Sequence, residues 1–330
     1  MIGAVPPRSW IIGRGGLLGG AVSQALAEQG GTEWEADGAV PWSDERMTTG
    51  TLSEMLCRFC DAVRMADASW QILWCAGAGV VATAPEALAQ ETRVLATFVA
   101  HLQTTVESGR LDTRGGLFLA SSAGGVYAGS PSPPPFHEES DTGVLSAYGA
   151  EKLAQEALVG AFAAQTRVPV LIGRISNIYG PGQDASKPQG LITQIGLGAL
   201  ARRPVQIYVS LDTIRDYIFA ADAASIVLRA MQRLRHEHAN APAPVVKVIA
   251  SGIDTTIASV LGAWRQVLKR PPGLALAASP IRSLQPARLS FRSLRWPDLG
   301  VAMTPLPVGI HAVFLHQLES LRLGTMPLQR

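Results

Sequence analysis

Apolar positions along the chain follow two rhythms. Short unbroken runs at Trp10-Ile11-Ile12, Trp70-Gln71-Ile72-Leu73-Trp74 and Gly116-Leu117-Phe118-Leu119-Ala120 predict buried strands. Leu52, Met55, Leu56, Phe59 and Val63 instead repeat at helical spacing and predict a helix over 52–65. Further helices are expected over 21–29, stopped by Gly30-Gly31, over 86–106 and over 146–164. Thr32 to Asp37 is a poor strand, and Val40-Pro41-Trp42-Ser43-Asp44 reads as a short third one. Strands alternating with helices of these lengths place the chain in the α/β class with a parallel sheet.

The first strand runs directly into Gly13-Arg14-Gly15-Gly16-Leu17-Leu18-Gly19-Gly20. Strand, glycine turn and helix in that order form the setting of a dinucleotide site. Gly13, Gly16 and Gly19 permit the tight turn, the close approach of a pyrophosphate and close helix packing, while the helix start at Leu17 and Leu18 offers free N–H groups. Asp37 is the candidate acid at the end of the second strand for an adenine ribose, and the run ending at Asp44 would bring that carboxylate near the adenine. Arg14 suits a 2′-phosphate equally well, so NAD is expected and NADP stays open. Ala76 and Gly77, after the Trp70 run, are small enough for a cofactor to lie against the backbone, and Ser121-Ser122 put two hydroxyls at the next strand's edge.

Ser146-Ala147-Tyr148-Gly149-Ala150-Glu151-Lys152 opens a run of good helix formers, and residues four apart share a helix face. A free phenol, with a pKa near ~10, is a poor base at neutral pH; a cation held beside it favours the phenolate. Tyr148 with Lys152 could therefore take a proton from an alcohol whose carbon gives hydride to a nicotinamide. The spacing alone occurs by chance on many helices, so its weight comes from the glycine turn and the serines.

Composition narrows the partners. The chain has 330 residues and a net charge of +2, with no basic tract, so neither nucleic acid nor an anionic membrane is expected as its main partner. No signal peptide and no bilayer-spanning run is read. Of three cysteines, Cys57 and Cys60 form a lone CxxC without a second ligand pair, read as helix-packing thiols of a cytoplasmic protein rather than a metal site. The proline-rich 131–135 stretch and His137-Glu138-Glu139 read as a surface loop with His137 solvated. His236 and His238 read as a solvated helix end.

The glycine turn, the Ser121-Ser122 strand end and Tyr148-x-x-x-Lys152 stand in the order and approximate spacing of the extended short-chain dehydrogenase/reductases. The chain resembles, more specifically, the NAD-dependent epimerase/dehydratase family that acts on nucleotide sugars. Arg174-Ile175-Ser176-Asn177-Ile178-Tyr179-Gly180-Pro181-Gly182, Lys187-Pro188-Gln189-Gly190-Leu191-Ile192 and Arg215-Asp216-Tyr217-Ile218-Phe219 look like later segments of the same family. Departures are Gly13-Arg14-Gly15 in place of the usual Thr-Gly-Gly, and the loss of an expected Asn within Gln90-Glu91-Thr92.

The resemblance implies a doubly wound parallel sheet (Rossmann) over 1–176 and 216–251, with a smaller substrate-binding lobe over 177–215 and 252–330. It also implies a helix over 221–234, a strand over 245–250, and a lobe helix from Asp254 to Leu268 broken by Pro271-Pro272, with a basic strip over 282–295 beyond. A nucleotide diphosphate sugar is the implied partner, with Asn177 at its diphosphate side and Arg215 on a phosphate, and a homodimer is the implied assembly.

In the implied reaction Tyr148 takes the proton from a sugar hydroxyl, often that on C4, while NAD takes the hydride. Lys152 lowers the Tyr148 pKa and holds the nicotinamide ribose, and a serine orients the sugar oxygen. Return of hydride to the other face completes an epimerisation. The family's 4,6-dehydratases carry Thr-Asp-Glu where this chain has Ala123-Gly124-Gly125, which disfavours dehydration. The usual hydroxyl position falls on Ala123, so the role passes to Ser122, nearer the strand's carboxyl edge, with Ser121 as the alternative. An NAD(P)H-dependent reductase of a keto-sugar and a non-catalytic dinucleotide-binding scaffold are the competing readings.

Overall fold

The structure is a computed structural model that describes residues 6–184, 190–237, 243–277, 286–297 and 299–325. Its first half alternates strand and helix: β1 Arg8–Ile12, α1 Leu17–Glu28, β2 Thr32–Glu33, α2 Glu45–Ala66, β3 Trp70–Trp74, α3 Pro85–Glu107, β4 Gly116–Ser122, the short α4 Ala123–Tyr127, α5 Ala147–Thr166 and β5 Val170–Ile175. There follow β6 Asn177–Tyr179, α6 Leu191–Ala201, β7 Val205–Ile207, β8 Ile214–Arg215, β9 Tyr217–Phe219, α7 Ala220–Glu237 and β10 Val245–Ile249. The chain closes with β11 Thr255–Thr256, α8 Ile257–Leu268, β12 Leu274–Leu276, β13 Arg288–Leu289 and α9 Leu306–Arg322.

Six strands form one parallel sheet in the order β10-β5-β4-β3-β1-β2. Side chains alternate between its faces. Trp10, Ile12, Ile72 and Trp74 pack against α2, α3 and α5, whereas Ile11, Leu73, Phe118 and Leu171 pack against α1 and α7. Helices on both faces make the sheet doubly wound, and the buried runs of β3 and β5 follow from having no solvent face. After β1 the chain steps to β2 on one side, then α2 carries it back to β3 on the other. The carboxyl ends of β1 and β3 therefore open a crevice at the switch point, where ligands of such sheets bind. A separate cluster including Tyr179, Ile192, Ile195, Val260, Trp264 and Ile310 joins α6, α8 and α9.

Some expectations need correction. Residues 40–44 form no strand; Asp44 is the N-cap of α2, its Oδ1 accepting from Met47 N at 2.8 Å, so its carboxylate serves the helix start. The 131–137 segment is more than a surface loop. Phe136 is buried, stacked on Tyr127 with ring centroids 5.4 Å apart, and Glu138 accepts from the backbone N–H groups of Val248 and Leu294, each at 2.8 Å. His137 is half-buried, and its carbonyl takes the Tyr127 hydroxyl. Asp254 lies outside α8, which Thr256 caps, and pairs with Arg288 at 2.8 Å. Cys60 is buried while Cys57 is exposed, and both are free thiols. Lys187, Pro188, Gln189, His238 and Arg282 fall outside the described residues.

Candidate active site

At the carboxyl end of β4 the two serine hydroxyls go to different partners. Ser121, opposite Arg174 in the register with β5, is buried and donates to Glu156 Oε1 at 2.6 Å. Ser122 Oγ accepts from Gly125 N at 3.1 Å and hydrogen-bonds the Tyr148 side chain. Neighbouring residues on a strand point to opposite faces. Ser122 is therefore the hydroxyl beside the tyrosine.

Tyr148 and Lys152 occupy the first turns of α5, which starts where Ser146 Oγ accepts from Gly149 N at 3.2 Å. Gly125 leaves room for the phenol, since a Cβ there would lie 3.0 Å from Tyr148 Cε1. Lys152 Nζ stands 5.8 Å from the Tyr148 ring centroid and donates to Gln155 Oε1 at 3.0 Å. From there Gln155 Nε2 donates to Thr92 Oγ1 at 3.2 Å, and Thr92 donates to Glu151 Oε2 at 2.6 Å. Every donor in this chain points away from the ammonium, so it ends on a carboxylate that favours the charge on Lys152.

Burial sets the direction of both pKa values. It pushes the Tyr148 phenol up; the hydrogen bond with Ser122 pulls against this, and the Glu91 charge adds to the rise. Burial pulls the Lys152 ammonium down, and the carboxylates of Glu91 and Glu156 oppose it. The direction at Tyr148 is the reverse of that expected for a phenol beside a cation. The ammonium has turned toward Gln155, and desolvation outweighs what remains.

The glycine turn fits a dinucleotide. A Cβ at Gly13 would lie 2.6 Å from Ala76 N, and one at Gly19 would overlap the Gly13 carbonyl oxygen, so β1, α1 and the loop after β3 close on one another through glycine. At Gly16 a Cβ would meet only Gly13 O, at 3.4 Å. Gly16 is the N-cap of α1, and no side chain caps that helix. The N–H groups from Leu17 onward thus begin a helix whose positive end, among the described residues, no capping side chain or first-turn acid covers. Gly77 links the turn to the Tyr148–Lys152 pair: a Cβ there would lie 3.5 Å from Lys152 Nζ.

Other candidates stand apart from this cluster. Asp37 lies beyond the two-residue β2 with its side chain 95% exposed, 3.5 Å from Arg58. Arg14 is taken by Glu33 at 3.0 Å and Glu35 at 2.8 Å. Asn177 is exposed at the start of β6, past the end of β5, and its N–H donates to Asp216 O. Arg215 is buried, and among the described residues Nη1 donates only to the carbonyls of Ile214 and Pro286, at 2.8 and 2.9 Å. Burial pulls its guanidinium down.

Sequence reading missed two groups. Glu156, one helical turn beyond Lys152, holds Arg174 at 2.7 Å in a buried ion pair, and Arg174 Nη1 donates to the Tyr127 hydroxyl at 2.6 Å. The available signal was a Glu four residues after the Lys on the same helix face. Glu91 receives the N–H groups of Ala78 and Gly79, both at 2.8 Å. Its signal was a carboxylate early in the helix that follows a strand ending in small residues. Among the described residues no group of three or more His, Cys, Asp or Glu could hold a metal ion, and no helix is long and apolar enough to cross a membrane.

Residues 10–241 match the model of the NAD dependent epimerase/dehydratase family. Among curated proteins, a dTDP-L-rhamnose 4-epimerase of Burkholderia thailandensis is 32% identical over 89 residues, which span 27% of this chain and 24% of that enzyme. A dTDP-4-dehydro-6-deoxyglucose reductase of Escherichia coli is 31% identical over 122 residues, spanning 37% of this chain and 38% of the reductase. The solved UDP-glucose 4-epimerase of Thermotoga maritima, with UDP-glucose, superposes with a TM-score of 0.74 at 17% identity, covering 95% of this chain and 99% of that one. With an epimerase and a reductase alike among its relatives and the family's sequence pattern running through most of its length, the chain belongs to the NAD-dependent epimerase/dehydratase family.

Proposed function

We propose that the chain is an NAD-dependent epimerase of nucleotide diphosphate sugars. One observation carries the reading: Ser122, Tyr148 and Lys152 meet at the carboxyl end of β4, joined through Gly77 to an uncapped glycine turn. Gly13, Gly16, Leu17, Leu18, Gly19, Ala76 and Gly77 would hold the cofactor, and Tyr148 and Lys152 would complete its site. When bound, NAD supplies a reversible hydride acceptor. Ser122 orients the sugar oxygen, Tyr148 takes its proton and later returns it, and Lys152 keeps a positive charge beside the phenolate. Arg215 and Asn177 serve the diphosphate. For Arg215 the support is a buried guanidinium whose described partners are carbonyls alone. Capture of Arg14 by two carboxylates favours NAD over a 2′-phosphorylated cofactor. Asp37 would need to turn inward to reach a ribose.

A keto-sugar reductase is the second reading, favoured by one feature: burial raises the Tyr148 pKa, which favours the protonated phenol that a carbonyl needs as donor. Net NAD(P)H turnover marks a reductase, and an epimerase shows none. The division into a cofactor domain and a substrate lobe, a homodimer and a cytoplasmic setting complete the proposal, supported by the family resemblance.

The test is to incubate the purified protein with UDP- and dTDP-hexoses and NAD, following product by ion-pair chromatography and absorbance at 340 nm. Epimer without net absorbance change is expected. Tyr148→Phe should retain fold and NAD binding while losing roughly 10²–10⁴-fold in turnover. Normal turnover in that variant would remove Tyr148 from the chemistry.

A further inference from the structure

Glu91 stands where α3 passes the loop after β3, and its two carboxylate oxygens face different tasks. Oε1 accepts from both Ala78 N and Gly79 N at 2.8 Å. Oε2 and Lys152 Nζ lie 3.6 and 3.5 Å from the point where a Gly77 Cβ would be, so carboxylate and ammonium converge on the space beside Gly77. Glycine there lets them do so. Gln90-Glu91-Thr92 is also where the chain departs from the family resemblance, with no Asn.

We propose that Glu91 is a positioning residue of the Tyr148–Lys152 pair: it pins the Gly77–Gly79 backbone and competes with the Tyr148 phenolate for the charge of Lys152. The groups facing the pair are few. Ser122 meets Tyr148 from the end of β4, Gln155 and Glu156 face Lys152 from α5, and Glu91 acts on both from α3. Glu156, which also acts on Lys152, is paired with Arg174 and Ser121, whereas Glu91 is the carboxylate that acts on both members of the pair. A negative charge beside the pair disfavours the phenolate and favours the ammonium. Glu91 thus adds to burial in favouring the protonated phenol over the phenolate. That biases the pair toward giving a proton to a carbonyl, the step shared by the return half of an epimerisation and by a keto-sugar reduction. This consequence rests on the function proposed above; the charge effect itself does not.

The experiment uses the full chain with carbon-13 at tyrosine Cζ. The protein has five tyrosines, and Tyr148→Phe identifies the signal by its loss. Glu91→Gln keeps an acceptor for the Ala78 and Gly79 N–H groups but removes the charge. Its Tyr148 signal should begin to titrate about one pH unit below the wild type. Glu91→Ala should show the same shift and, having lost the backbone anchor, bind NAD several-fold more weakly than Glu91→Gln by calorimetry. An unchanged or higher Tyr148 midpoint in Glu91→Gln overturns the charge role. Equal NAD affinity in the Gln and Ala variants overturns the anchoring role. Failure of the wild type to bind NAD would defeat the proposed function instead, leaving the titration as the test of Glu91.

Discussion

Arg174 and Arg215 are buried to nearly the same extent, 7% and 9% exposed, yet they live in opposite surroundings. Arg174 meets Glu156 through Nε and Nη2 and reaches the Tyr127 hydroxyl through Nη1. Burial alone would pull its guanidinium down, but the carboxylate outweighs that and the net direction is up. Arg215 has two carbonyls and, among the described residues, no carboxylate; its direction is down. Taking a cation out of water is costly unless it is paired. The matched arginine fixes the framework under α5, and the unmatched one is the residue proposed above to meet an anion.

The largest test breaks the matched side. Glu156→Ala leaves Arg174 buried without its counter-ion and should cost about 3–5 kcal/mol of unfolding free energy, read from urea denaturation. A loss below about 1 kcal/mol would show that water or another acid readily replaces the carboxylate. On the unmatched side, Arg215→Ala should lose roughly 1.5–3 kcal/mol of binding, raising KM for a nucleotide sugar about 10- to 100-fold while KM for the free sugar stays put. Stability should hardly move, because the desolvation cost of the cation leaves with it. Equal effects on both substrates would make Arg215 structural after all. The smallest contrast separates the serines. Ser121→Ala removes one bond to Glu156 and should cost about 1 kcal/mol of stability with near-normal turnover, whereas Ser122→Ala should lower turnover and leave stability alone. A turnover loss confined to Ser121→Ala would reverse their roles.

Much of this arrangement was legible because it is local. The run Trp10-Ile11-Ile12 and the glycines after it predict strand, turn and helix from adjacent residues, and Tyr148 and Lys152 meet by helical spacing. The failures involve contacts that the apolar pattern does not carry, local in one case and distant in the others. Asp44 looked like a strand end because its run is apolar, yet capping chemistry at the start of α2 decided its place. Phe136 sits amid prolines that signal a loop, but burial against Tyr127 and Phe291 ties that loop down. Glu91 and the loop after β3 are brought together by the path of α3, which no short window reveals.

The glycine turn has a consequence for how such a chain could drift. Gly13 and Gly19 have no room for a methyl because their own neighbours occupy the space, so purifying selection on folding alone would retain them. Gly16 has room by comparison and a backbone, φ −84° and ψ 168°, that any residue adopts. A lineage that had shed its dinucleotide would thus be free to lose Gly16 first while keeping the other two. An intact triplet is what continued occupancy of the turn would preserve, and it separates a working descendant of the fold from a relic of one.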